Sequence, residues 1–167
     1  MRYKAARPAL LGLLFALSVV LNLVEAGFSG LVPIPGIKLG LSNVVTMYCL
    51  FCMGKREAFL LAGLKAFFVL LTRGLVGACL SLSGGLLSVA MMLLLKKLGR
   101  NRLSHTFLSI SGGVSHNVGQ ISVAALILES SAGFYYLPVL MISGVGMGLL
   151  TGILLRQLLP HLNRIFF

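Results

Sequence analysis

The chain is 167 residues long, 58% hydrophobic and 10% charged, with a mean hydropathy of +1.03. A soluble protein of that composition would have too little polar surface to cover itself, so the sequence reads as an integral membrane protein with room for about six spans of roughly 20 residues each and no attached soluble domain. The net charge of +11 does not point to nucleic acid, because most of the basic residues fall in or beside segments on one side of the expected membrane.

Taken in chain order, apolar runs between charged or Gly/Pro-rich borders predict six helical spans, at 8–26, 39–54, 57–73, 79–96, 107–128 and 135–159. The expected fold is therefore an all-α bundle of six transmembrane helices, forming one transmembrane domain over 1–167. The first span follows Arg2, Lys4 and Arg7. Its small residues Ala5, Ala9, Gly12 and Ala16 make a smooth face, suited to docking inside the bundle or onto another membrane protein. Val24-Glu25-Ala26 resembles a signal-peptide cleavage site. Cleavage would discard one helix of an otherwise consistent bundle, so the span is expected to remain.

Next comes Pro35-Gly36-Ile37-Lys38-Leu39-Gly40-Leu41-Ser42-Asn43, which places Lys38 and Asn43 where an apolar hairpin turns back into the bilayer. Polar groups that close to hydrocarbon point to function. In the second span Cys49-x-x-Cys52 has redox spacing but lies in an apolar helix, so it reads as structural thiols. If the third span starts at the membrane surface near residue 57, Lys65 lies roughly 12 Å deep and Arg73 roughly 24 Å, near the opposite surface. An ionised lysine at such depth costs at least ~2.5 kcal/mol unless paired or hydrated, so Lys65 must face the bundle or snorkel.

Ser81, Gly84, Gly85 and Ser88 give the fourth span a small-residue stripe, and Gly144, Gly148 and Gly152 give one to the sixth; both suit close helix packing. The fifth span is the most polar, with Ser109, Ser111, Ser115, His116, Asn117 and Gln120 beside Gly112, Gly113 and Gly119. At 100° per residue His116 and Gln120 share a face, and the glycines clear space beside them, as in a cavity wall.

Arg2, Lys4, Arg7, Lys55, Arg56, Lys96, Lys97, Arg100, Arg102, Arg156 and Arg164 all fall on one side of a six-span arrangement. The positive-inside rule makes that side, with both termini, cytoplasmic. Lys38, Arg73, Glu25 and Glu129 fall outside, where Lys38 and Arg73 either attract an anion or pair with Glu25.

The chain contains no aspartate, and its three acids, Glu25, Glu57 and Glu129, lie in separate segments. Paired-carboxylate catalysis and chelation of a magnesium diphosphate have no candidates, and His105, His116 and His161 are too scattered for a zinc site. Gly54-Lys55-Arg56 lacks the upstream glycine and the hydroxyl residue of a phosphate loop. Energy for any transport must come from a partner or a gradient.

The 35–43 segment, Ser83-Gly84-Gly85-Leu86-Leu87-Ser88-Val89-Ala90-Met91, Ser115-His116-Asn117-Val118-Gly119-Gln120 and Tyr136-Leu137-Pro138-Val139-Leu140 together resemble the Gx transporter family, often labelled heptaprenyl diphosphate synthase component I, over about residues 8–157. That group is similar to the S components of energy-coupling-factor transporters. The resemblance implies a six-helix substrate-binding subunit of the bacterial plasma membrane that carries a small anionic cofactor or vitamin, flavin first among them. It also implies a transmembrane coupling subunit, docked on Ala5/Ala9 or Gly12/Ala16, and separate ATPase subunits. The expected substrate site is Lys38, Asn43, Arg73, His116, Asn117 and Gln120, with no metal, no catalytic residue and no covalently bound cofactor. A non-catalytic accessory subunit for isoprenoid or quinone synthesis is the alternative, since a prenyl synthase needs aspartates this chain lacks.

Overall fold

A computed structural model describes residues 2–28, 40–100, 102–129 and 131–166. Its helices are α1 (Arg2–Phe28), α2 (Leu41–Cys52), α3 (Lys55–Leu98), α4 (His105–Ile127) and α5 (Leu137–Phe166), with a 3-10 turn at Ser131–Tyr136 before α5. Among the described residues there is no strand, as the all-α expectation requires.

Among the described residues the expected six helices are five, because the spans at 57–73 and 79–96 belong to one element, α3. A straight helix of that length would be about 66 Å long, twice the ~30 Å of a bilayer core. α3 is instead broken at Gly74, whose φ of 75° and ψ of −174° are non-helical and open to glycine without a Cβ penalty. A Cβ built on Gly85 would lie 3.4 Å from the Ala62 Cβ. A continuous helix would hold those two positions about 34 Å apart. The two arms of α3, 55–73 and 75–98, therefore fold back on each other as a hairpin.

Among the described residues, three helices are by length and composition apolar enough to cross a membrane, over Arg7–Gly27, Lys55–Leu98 and Phe134–Pro160. Their outer faces carry bare apolar side chains: Leu75 is 70% exposed, Leu126 on α4 77% and Ile142 75%. Surfaces of that kind belong in lipid rather than water. α2 is apolar but only 12 residues long, about 18 Å. Every residue from Val44 to Leu50 is buried, so α2 is the central post of the bundle rather than one of its walls. Its Tyr48 and Cys49 pack with Leu14 of α1, Leu61 and Val89 of the two α3 arms, and Leu155 of α5.

α4 packs against α5 and α3 through its glycines. A Cβ on Gly113 would come within 2.7 Å of the Gly144 carbonyl, and one on Gly152 within 2.8 Å of the Thr106 Cα. Where backbones approach this closely, small residues are a steric requirement. Ser109 and Thr151 hydroxyls, 2.6 Å apart, bind across the same interface. Ser104 caps α4 by accepting a hydrogen bond from the Phe107 N–H at 3.1 Å.

Several of the described basic residues gather at one end. Arg7 of α1 lies 3.8 Å from Glu57 at the start of α3. At the same end, Lys96 sits over the Phe51 ring at 4.9 Å, and that ring meets the His105 ring edge-on at 4.7 Å.

Candidate functional site

Inside this apolar bundle the helices turn polar side chains toward a common space. The cavity, about 50 Å³, is lined by Asn22 and Glu25 from α1, Gly40, Ser42 and Asn43 at the start of α2, Lys65 and Ser81 from the two α3 arms, His116, Asn117 and Gln120 from α4, and Met147 from α5. Two smaller spaces of about 20 Å³ share lining residues with it. One reaches Thr46 and Ser88, the other Ser88, Ser109 and Thr151. Asn43 borders all three.

Helical phase explains how α1 presents its polar groups. Leu14, Ser18 and Glu25 are buried and fall at intervals of four and seven residues, one stripe of a 3.6-residue period. Glu25 is 4% exposed, and its Oε1 accepts the Gly40 N–H at 2.5 Å. Gly40 is left-handed, with φ 68°, a conformation glycine adopts at no steric cost. Its backbone turns the chain into α2 directly beneath the carboxylate.

Lys65 reaches the same turn from the opposite side. Its Nζ donates to the Ser42 carbonyl at 3.1 Å, to Asn43 Oδ1 at 3.1 Å and to Thr46 Oγ1 at 3.2 Å. An ammonium has three donors, and all three find oxygens on α2. The intramembrane lysine thus faces the bundle instead of snorkelling, and its contacts tie the first α3 arm to α2.

α4 supplies the polar wall. A Cβ on Gly84 would fall 2.9 Å from both the His116 ring and Gln120 Cγ, so Gly84 is the space into which those side chains pack. Asn117 Nδ2 donates to the Leu140 carbonyl at 2.7 Å and more weakly to Ser143 Oγ at 3.5 Å, fixing α4 to the first turns of α5.

Of the six residues expected to bind substrate, Asn43, His116, Asn117 and Gln120 meet at this cavity. Arg73 does not: it is exposed beside the Gly74 break and lines none of the three spaces. Lys38 lies outside the described residues, as does nearly all of the 27–38 loop. Glu25, Lys65 and Asn22 line the cavity but were absent from the expected set. The depth of Lys65 was the available signal. Glu25 had been placed at the outer mouth, and its burial depends on the phase of α1 against α2, which no local pattern contains.

The small-residue face of α1 points away from the bundle. Ala9, Gly12 and Ala16 are exposed, and a Cβ added to Gly12 would meet nothing within 4 Å; the side-chain surroundings of Ala5 lie outside the described residues. Of the two docking alternatives, the inward one is excluded for these three positions. The cysteines Cys49, Cys52 and Cys79 are free, and Cys49 contacts Met53 Sδ at 3.9 Å.

A model of the family described as heptaprenyl diphosphate synthase component I matches residues 14–158. Neither a search of curated proteins nor one of solved structures found a match.

Proposed function

Since the chain belongs to the heptaprenyl diphosphate synthase component I family, we propose that it is a non-catalytic membrane subunit that binds a small polar ligand inside its bundle and passes it across the membrane. The observation that carries this reading is the convergence of Glu25, Lys65, His116 and four carboxamides, Asn22, Asn43, Asn117 and Gln120, on one cavity among apolar helices. Packing alone gains only ~0.6 kcal/mol from a typical interhelical hydrogen bond in a membrane. Ionisable groups at such depth mark substrate or ion pathways.

In this reading the basic end is cytoplasmic, as the positive-inside rule directs. The outward stripe of Ala9, Gly12 and Ala16 is the docking face for a transmembrane coupling subunit, with ATPase subunits supplying the energy. A ligand smaller than flavin is favoured, because sites for drug-sized molecules span about 300–1,000 Å³, well above the cavity here. Native mass spectrometry of protein extracted gently from its own membrane tests the proposal. A stoichiometric retained small molecule, lost when His116 and Gln120 are both replaced by alanine, is the expected result; its absence from the wild type counts against a ligand-binding role.

The family description favours a second reading, an accessory subunit of a prenyl diphosphate synthase. Affinity purification separates the two: recovery of a catalytic prenyl synthase in stoichiometric amount supports the accessory role, and recovery of a coupling subunit with its ATPases supports transport.

A further inference from the structure

We infer that the corner joining α3 to α4 is a docking site for an anionic phospholipid, with the headgroup phosphate held by Lys97, Arg100 and Arg102 above an exposed apolar flank. The inference does not depend on the ligand-binding reading above. From 94 to 107 the sequence carries Lys96, Lys97, Arg100 and Arg102 and no acid. Lys96 is turned to Phe51, its ammonium 4.9 Å from the centre of that ring. The other three cations are exposed.

The backbone gathers these three on one tight turn. The Gly99 N–H donates to the Leu95 carbonyl at 2.8 Å, the Arg100 N–H to the Lys97 carbonyl at 3.2 Å and the Arg102 N–H to the Gly99 carbonyl at 2.8 Å. A Cβ on Gly99 would overlap the Leu103 side chain, which closes the turn from within. Arg100 sits on this turn with φ 46°, a left-handed conformation that disfavours a side chain and that glycine adopts freely. A long cation kept where glycine would fit better is the kind of backbone outlier that accompanies binding surfaces.

The flank decides the partner. Leu98 is 69% exposed, Leu94 52% and Phe107, in the first turn of α4, 48%. Leu94 and Leu98 are four residues apart on α3 and share a face, which leads up to Lys97 and the turn. Bare leucines beneath three cations match an acyl chain topped by a phosphate: the chain covers the apolar face, and the phosphate oxygens take the lysine ammonium and the paired guanidinium N–H donors. A soluble anion would satisfy the cations and leave the flank bare. Basic residues at the surface of an anionic leaflet each contribute about fivefold in affinity.

The test is native mass spectrometry of the full-length protein in detergent, titrated with phosphatidylglycerol and separately with phosphatidylcholine of the same acyl chains. Thermal unfolding is followed on the same samples. The wild type is expected to bind one phosphatidylglycerol at least about tenfold more tightly than phosphatidylcholine. Lys97→Gln with Arg102→Gln should weaken phosphatidylglycerol by about twenty-fivefold. Lys55→Gln with Arg56→Gln removes the same charge elsewhere at that end and should leave the affinity nearly unchanged. Arg100→Gly separates binding from folding: its melting temperature should equal or exceed the wild type's, while phosphatidylglycerol affinity falls about fivefold.

Equal binding of the two lipids would overturn the inference, as would equal losses from the two double variants. So would an Arg100→Gly protein that melts lower and keeps its affinity, because Arg100 would then serve only to end α3. Displacement of the lipid by inorganic phosphate alone would make the corner a site for a soluble anion. A partner protein lost with Lys97→Gln and Arg102→Gln, in a chain without preference for phosphatidylglycerol, would make it a protein interface; either result sinks the lipid site.

Discussion

Lys65 Nζ donates to Asn43 Oδ1 across 3.1 Å, joining the first arm of α3 to the first turn of α2. With the Ser42 and Thr46 oxygens it completes a three-point mount for the ammonium. The lysine is thus both a structural clamp and a wall of the cavity, and the two roles separate by substitution. Lys65→Met removes the donor and strands buried acceptors, a loss of about 1–3 kcal/mol. Lys65→Arg retains charge and donors and should recover part of it. Thermal unfolding in detergent reads the difference; a methionine variant that melts with the wild type would show that the clamp contributes nothing.

Gly148 and Gly146 of α5 form an internal control. A Cβ on Gly148 overlaps the Ile110 Cα and comes within 2.9 Å of the Ser109 carbonyl, whereas a Cβ on Gly146 meets nothing within 4 Å. Gly148→Ala should push α4 and α5 apart at a cost of about 1–3 kcal/mol. Gly146→Ala should be neutral, or stabilising by up to about 1 kcal/mol through helix propensity. Equal melting of the two variants would contradict the glycine-mediated contact.

The helical content and the polar wall were legible in the sequence because both are local: apolar runs announce helices, and His116 and Gln120 share a face by their spacing alone. The depth of Lys65 was legible for the same reason, since position along a span gives distance into the bilayer. What could not be read was rotation and closure. Whether Glu25 looks inward is set by α1 turning against Gly40, and the fold-back of the two α3 arms is set by one dihedral pair at Gly74. Arg73 was assigned by depth to the outer mouth, and depth says nothing about azimuth. It sits beside the break, exposed.

The proposed orientation in the membrane can be tested directly. If the end with Arg7, Lys55, Lys96 and Lys97 is cytoplasmic, as the positive-inside rule expects, the α3–α4 connection would be internal and the α4–α5 connection external. In a cysteine-free background, Glu129→Cys should react with an impermeant maleimide in intact cells, and Arg100→Cys only after permeabilisation. Equal labelling at both positions would be incompatible with this orientation.

The α4 wall divides into a binding part and a fastening part. His116 and Gln120 fill the space left by Gly84 and border the cavity, so His116→Ala and Gln120→Ala should lower occupancy of the retained molecule by about ten- to hundredfold while melting temperature changes little. The amide nitrogen of Asn117 is engaged with the Leu140 carbonyl at 2.7 Å. Asn117→Ala removes this bond between α4 and α5, although Ser143 Oγ still donates to the Leu140 carbonyl at 2.9 Å, and should lower the melting temperature, with a smaller loss of occupancy. Arg73→Ala, outside the lining, should change neither. Occupancy by native mass spectrometry and unfolding by scanning fluorimetry, measured on the same four preparations, decide the division. A large loss of ligand from Arg73→Ala, with His116→Ala and Gln120→Ala silent, would move the site to the rim beside Gly74 and leave the buried cavity as packing.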